Sequence, residues 1–288
     1  MHWLLVSVIV ALAVASHDAW VKKHFSHLSV SEMLAMPLFY SLPFFMIVMP
    51  FVPVPVIDRG FYGSFAACLP INVLASFLYT KAIKISPLSL TVPYLAFTPP
   101  FAMVTGYLFL HETPGIWAGV GIVATCIGSY VLNIEPDRQG LLAPVKAVFN
   151  ETGSWMMLIV AFLFAFTVVV GKKAIVHSSP LFFTMVFFSI HNLIVLGILA
   201  VTGKIRIHTF AGNFRKGLVA GGLLFIHVLL HGFAISWTQA AYMVSIKRLS
   251  ILFSIIYGRM FFEERRMVVR LVGATFMLGG AVLIVLKE

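Results

Sequence analysis

Apolar residues run through this chain in blocks of about twenty, separated by short polar or proline-containing connections. That length matches the ~20 residues an α-helix needs to cross the hydrocarbon core of a bilayer. The pattern predicts ten membrane-spanning helices at about residues 2–21, 31–50, 62–81, 88–110, 115–134, 154–174, 180–201, 217–239, 241–262 and 267–286. The longest connections run from Glu135 to Gly153 and from Thr202 to Lys216. Pro50, Pro53 and Pro55 close the second block, because proline cannot continue the helical bonding ladder. Pro93, Pro99 and Pro100 lie inside the fourth, which should be kinked or locally broken. Leu4 to Ala15, followed by Ser16, has the outline of a cleavable signal. No Lys or Arg precedes it, however, and the apolar run continues through Trp20, so it reads as a retained first span.

Composition agrees with this pattern. Sixty per cent of residues are hydrophobic, ten per cent are charged and mean hydropathy is +1.01, which excludes a soluble domain. The fold class expected is an all-α polytopic membrane protein. Cys68 and Cys126 sit inside apolar blocks and suggest neither disulfide nor zinc. The net charge of +10 is scattered over loop ends, as at a membrane face rather than on a nucleic-acid surface. Lys and Arg concentrate in loops after odd-numbered spans, which by the positive-inside rule puts both termini outside.

The two halves of the chain match each other. A shift of 152 residues places Ala82-Ile83 on Ala234-Ile235, Phe101 on Phe253, Gly106 on Gly258 and Glu112 on Glu264. The same shift places Gly121 on Gly273 and Gly128 on Gly280. The first spans align at a shift of 150, with Lys22-Lys23 on Lys172-Lys173 and His27 on His177. The chain is therefore read as two five-span repeats, 1–134 and 154–288, joined by a loop at 135–153. An odd number of spans inserts the second repeat upside down. Such inverted repeats typically bind substrate near the midplane, where the halves meet.

The signatures Phe109-Leu-His-Glu112 with Gly121 and Gly128, and Phe261-Phe-Glu-Glu264 with Gly273 and Gly280, resemble those of the EamA-type drug/metabolite transporters. The resemblance covers essentially the whole chain. It implies a central cavity lined by helices one, three and four of each half, a peripheral fifth helix, and both termini inside. Lys247-Arg248 resembles the Lys-Arg pair of the related triose-phosphate translocators, where the pair binds phosphate. The fourth span lacks a clear lysine to complete that site.

Lys247 and Arg248 are the deepest charges in the sequence. A basic residue at the bilayer centre costs roughly 2.5–3.5 kcal/mol on insertion scales. Charges kept at that cost usually face a watery cavity, although a lysine two turns into a helix can also snorkel to the interface. Helical spacing places Lys247, Ser250, Ser254 and Tyr257 on one stripe of the ninth span. Tyr94 and Thr98 lie on a stripe of the fourth span, Asn72, Ser76 and Tyr79 on the third, and His227 and His231 on the eighth. Such hydroxyls also bond back to their own helix or join neighbours. Asp18 is the only acid well inside an apolar block. It could neutralise the basic pair, carry a coupling proton with His17 or His227, or pair with Lys22 near the interface. His227 and His231 are spaced for a metal, but no acid or cysteine at helical spacing completes a site, so no metal is expected. Glu112 and Glu264 read as interface anchors, and the glycine pairs as close-packing points.

The sequence reads best as a monomeric secondary transporter without cofactor, exporting or exchanging a small carboxylated or phosphorylated anion across a bacterial inner membrane. Arg248 would clamp the oxyanion with its planar fork, and Lys247 would add a point charge. Export of amino acids or cationic drugs, with the basic pair bridged to Asp18, is the alternative within transport. An intramembrane lipid or prenyl transferase needs acidic clusters or a nucleophile with its base, and only Asp18, Asp58 and Asp137 represent aspartate in the chain. No nucleotide-binding loop is present, so accumulation would depend on a proton or exchange gradient.

Overall fold

The computed structural model describes residues 2–86, 91–132, 151–262 and 268–286, and the regular structure among them is helical. The first half contains α1 (His2–Phe25), α2 (Val30–Val48), α3 (Arg59–Ile85), α4 (Thr98–Leu110) and α5 (Ile116–Leu132). The second contains α6 (Thr152–Val176), α7 (Pro180–Val201), α8 (Phe214–Ser236), α9 (Ala240–Lys247), α10 (Ser250–Phe262) and α11 (Val268–Leu286). Among the described residues seven segments are long and apolar enough to cross a bilayer unaided. Three more, Tyr94–Leu110, Ile116–Gly128 and Thr275–Ile284, are apolar but shorter. Most of the expected loop 135–153, together with Glu264, lies outside the described residues.

Local chemistry sets the helix ends. Ser29 and Glu32 form a reciprocal capping box at α2. Asp58 caps α3 by accepting from the Phe61 N–H at 3.1 Å, and meets His177 Nδ1 at 2.8 Å. Those bonds, the Phe61 amide first, hold its carboxyl below the usual carboxylate range.

Two spans depart from regular α-helix. Residues Val92–Phe97 ahead of α4 are 3₁₀, as the prolines there lead one to expect. The ninth block was expected to be one helix but divides between α9 and α10 without proline or glycine. The bonding shortens to i−3 there: Leu249 N–H donates to Ile246 at 3.0 Å, Ile251 to Arg248 at 2.9 Å and Leu252 to Leu249 at 3.0 Å. Shifted by 152, this turn falls on the 3₁₀ segment of the first half. A tightened turn thus stands at this place in both repeats, with proline present in the first alone.

Packing follows the pseudo-two-fold. α3 lies along α6 as α8 lies along α1, and α4 meets α6 as α10 meets α1. α5 and α11 cross at the axis. A Cβ at Gly121 would strike the Gly280 carbonyl, and one at Gly128 the Gly273 carbonyl, so only glycine permits this approach. Gly217 and Gly221 likewise admit Tyr40 of α2 against α8.

Candidate functional site

A cavity of about 220 Å³ lies between the halves, lined from α1, α2, α3, α6, α7, α8 and α9. It is smaller than the ~300 Å³ lower bound of drug-sized pockets, which suits a small solute. Most of its wall is apolar, including Phe164, Phe183, Phe187 and Val228. Phe183, Phe187 and His191 follow one another at i, i+4, i+8 along α7, with ring centroids 5.0 and 6.3 Å apart and nearly parallel planes.

The charges gather on α1, α3, α8 and α9. Asp18 is 2% exposed. Its Oδ2 accepts from the Tyr79 hydroxyl, and its Oδ1 lies 3.2 Å from His17 Nδ1. Among the described residues it is the only acidic one in the cavity wall. Lys247 Nζ stands 3.2 Å from His227 Nε2. Arg248 is 4% exposed, lines the cavity, and lies within electrostatic reach of Asp18 and Tyr79. Among the described residues its side chain makes no hydrogen bond or ion pair, and its Nε is buried without a partner. Both cations sit at the carboxyl end of α9, where the helix dipole offsets part of their desolvation.

The remaining expected residues divide. Asn72 and His231 line the cavity; Asn72 Nδ2 donates to the Cys68 carbonyl at 3.2 Å, and His231 Nδ1 is buried without a partner. Tyr94, Thr98, Ser250, Ser254 and Tyr257 do not line it. Tyr94 is buried in the apolar core beside Val92 and Leu95. Thr98 and Ser250 begin α4 and α10, and with Ser254 they are buried with hydroxyls lacking a partner. The Tyr257 hydroxyl lies 2.8 Å from Ser16 Oγ, tying α10 to α1. The turn at Arg248 and Leu249 is the physical reason: it rotates the α10 residues out of register with Lys247.

Glu112, expected as an interface anchor, is paired within the protein. Its side chain is 13% exposed and paired with Lys172 of α6, which also donates to the Thr238 carbonyl at 2.6 Å. Its Oε2 accepts the Ala240 N–H at 2.8 Å and so caps α9 from the connection between α4 and α5. Lys172 lines the cavity, yet by sequence it resembles a loop-end cation. Asn192 was equally silent in the sequence. It lines the wall, meets His191 Nδ1 at 3.1 Å and donates to Ser41 Oγ at 2.9 Å. His191 Nε2 meets Ser76 Oγ at 3.2 Å, completing a neutral polar cluster on α2, α3 and α7.

Comparison with known proteins agrees with this architecture. A solved crystal structure superimposes with a TM-score of 0.69 over 99% of this chain and 95% of that one, at 10% identity, a likeness of fold alone. No curated protein matches the chain. The profile of the EamA-like transporter family matches residues 1–134 and 151–286, the two halves of a multi-pass membrane protein. By that match the chain belongs to the EamA-like transporter family and is a membrane transporter rather than an enzyme.

Proposed function

We propose that this transporter carries a small organic or phosphorylated anion by alternating access at the cavity between its halves, as a monomer in a bacterial inner membrane. The observation that supports this reading is the state of Arg248. Among the described residues, a buried guanidinium faces the cavity without a carboxylate bonded to it, while the one acid of the wall is occupied by Tyr79 and His17. A buried charge left unpaired is costly, and a ligand that pairs with it recovers that cost on binding. A planar fork is suited to two oxygens of a carboxylate or phosphate.

Lys247 adds a second positive charge on the adjacent residue, steadied by His227. Apolar walls beyond this pole accept the body of the solute, and Asn72 and His231 offer it hydrogen bonds. Transport, as export or exchange, is driven by the counter-solute or by a proton gradient. The test is transport of small anions into proteoliposomes by the wild type and by Arg248→Ala. Saturable transport lost in a variant of unchanged thermal stability supports the reading; transport retained in that variant refutes it.

A further inference from the structure

Resting on the anion reading, we infer from the arrangement of charged groups that the cavity is built for a net monovalent anion, and that a dianion enters only together with a proton. The argument begins at Lys247 and His227. An ammonium and an imidazolium are both donors only, so their 3.2 Å contact requires one of them to be an acceptor. The pair therefore holds no more than one positive charge, and the amine, the more basic of the two groups, is the member that carries it. Arg248 holds a second.

Asp18 supplies the opposing charge. Its two oxygens face the Tyr79 hydroxyl and His17 Nδ1, the arrangement of an accepting carboxylate with a neutral phenol and a neutral Nδ1–H ring. His17 Nε2 and His231 Nδ1 are buried without partners, and the uncharged rings are the cheaper occupants of such places. Farther along the wall, Lys172 is matched by Glu112. His191 is held by the neutral groups Ser76 and Asn192. One negative charge against two positive ones leaves the empty cavity with a single net positive charge.

A monoanion brings that cavity to neutrality. A zwitterion leaves the excess charge in place, and a dianion reverses it. The compensating proton is held on the dianion's own oxygen, where it faces the cavity wall at Arg248 and His231. The loaded carrier then crosses the membrane uncharged, and the membrane potential acts on the empty form, which carries the charge.

The test is calorimetric titration of the intact protein in detergent, in two buffers of different ionisation enthalpy, which counts protons taken up on binding. Four probes share one ring: 3-phenylpropionate, phenylalanine, phenylphosphate and 3-phenylpropanol. The expected result is that 3-phenylpropionate binds with no proton uptake, about tenfold or more tighter than phenylalanine or the alcohol. Phenylphosphate takes up about one proton per molecule bound, and Asp18→Asn removes that uptake by adding one unit of positive charge. Dianion binding without a proton in the wild type, or phenylalanine binding more tightly than 3-phenylpropionate, overturns the charge assignment while leaving a binding cavity. Binding by neither anion, or anion binding indifferent to Arg248→Ala, overturns the anion reading itself.

Discussion

Lys247 Nζ of α9 stands 3.2 Å from Nε2 of His227 on α8, so the first member of the buried basic pair is held by a ring from its neighbouring helix. The second, Arg248, has no such partner among the described residues. Adjacent cations therefore have unequal tasks: one is positioned, and the other is open to a ligand.

His227→Phe keeps an aromatic ring and deletes the acceptor. The buried ammonium is then left unsatisfied, which costs roughly 1–3 kcal/mol, more for charged groups. A lowered midpoint of thermal unfolding in detergent is expected. Adding Lys247→Met should restore most of it, because no donor is then stranded; an additive double mutant would show that the contact does not matter to stability.

Glu112, in the connection after α4, pairs with Lys172 of α6 and caps α9 through the Ala240 N–H. Removing one partner of a buried pair costs about 3–5 kcal/mol. Lys172→Met should therefore destabilise strongly, and Glu112→Gln combined with it should be milder than the single change. The measurement is a double-mutant cycle read by thermal unfolding.

The crossing of α5 and α11 depends on bare backbone. Gly128→Ala places a methyl against the Gly273 carbonyl and should cost about 1–3 kcal/mol, typical of overpacking. Gly119→Ala meets open space and should leave stability unchanged or slightly raised. Equal melting temperatures for the two variants would contradict the packing described.

Asp18→Asn retains an acceptor for Tyr79 and removes the negative charge. Under the anion reading, affinity for a small organic anion rises, by about fivefold for each roughly 1 kcal/mol of repulsion relieved. In an exporter of cations or amino acids the same change abolishes binding. Titration of 3-phenylpropionate against both proteins separates these outcomes.

Much of this was legible in the sequence because the bilayer imposes simple rules. Apolar length located the helices, the 152-residue register revealed the duplication, and the desolvation cost of Lys247 and Arg248 marked them as exceptional. What escaped has a physical reason in each case. The turn at Arg248 and Leu249 carries no proline or glycine, so periodicity continued through it and placed Ser250, Ser254 and Tyr257 on the stripe of Lys247. Glu112 and Lys172 each look like a charge at the end of a span. Their pairing is a tertiary contact between segments sixty residues apart, which no local pattern encodes. Asn192 and Ser41 bond across two halves for the same reason.

The central claim is that Arg248 receives the anion, and its most direct measurement is counterflow of a labelled small organic anion in proteoliposomes. The comparison is between wild type, Arg248→Lys and Arg248→Ala, each verified by thermal unfolding. Saturable counterflow is expected for the wild type, with partial activity in the lysine variant. The alanine variant should lose about 2–5 kcal/mol of binding, the typical loss on truncating a buried charge partner. Counterflow undiminished in a stable Arg248→Ala protein would contradict the account.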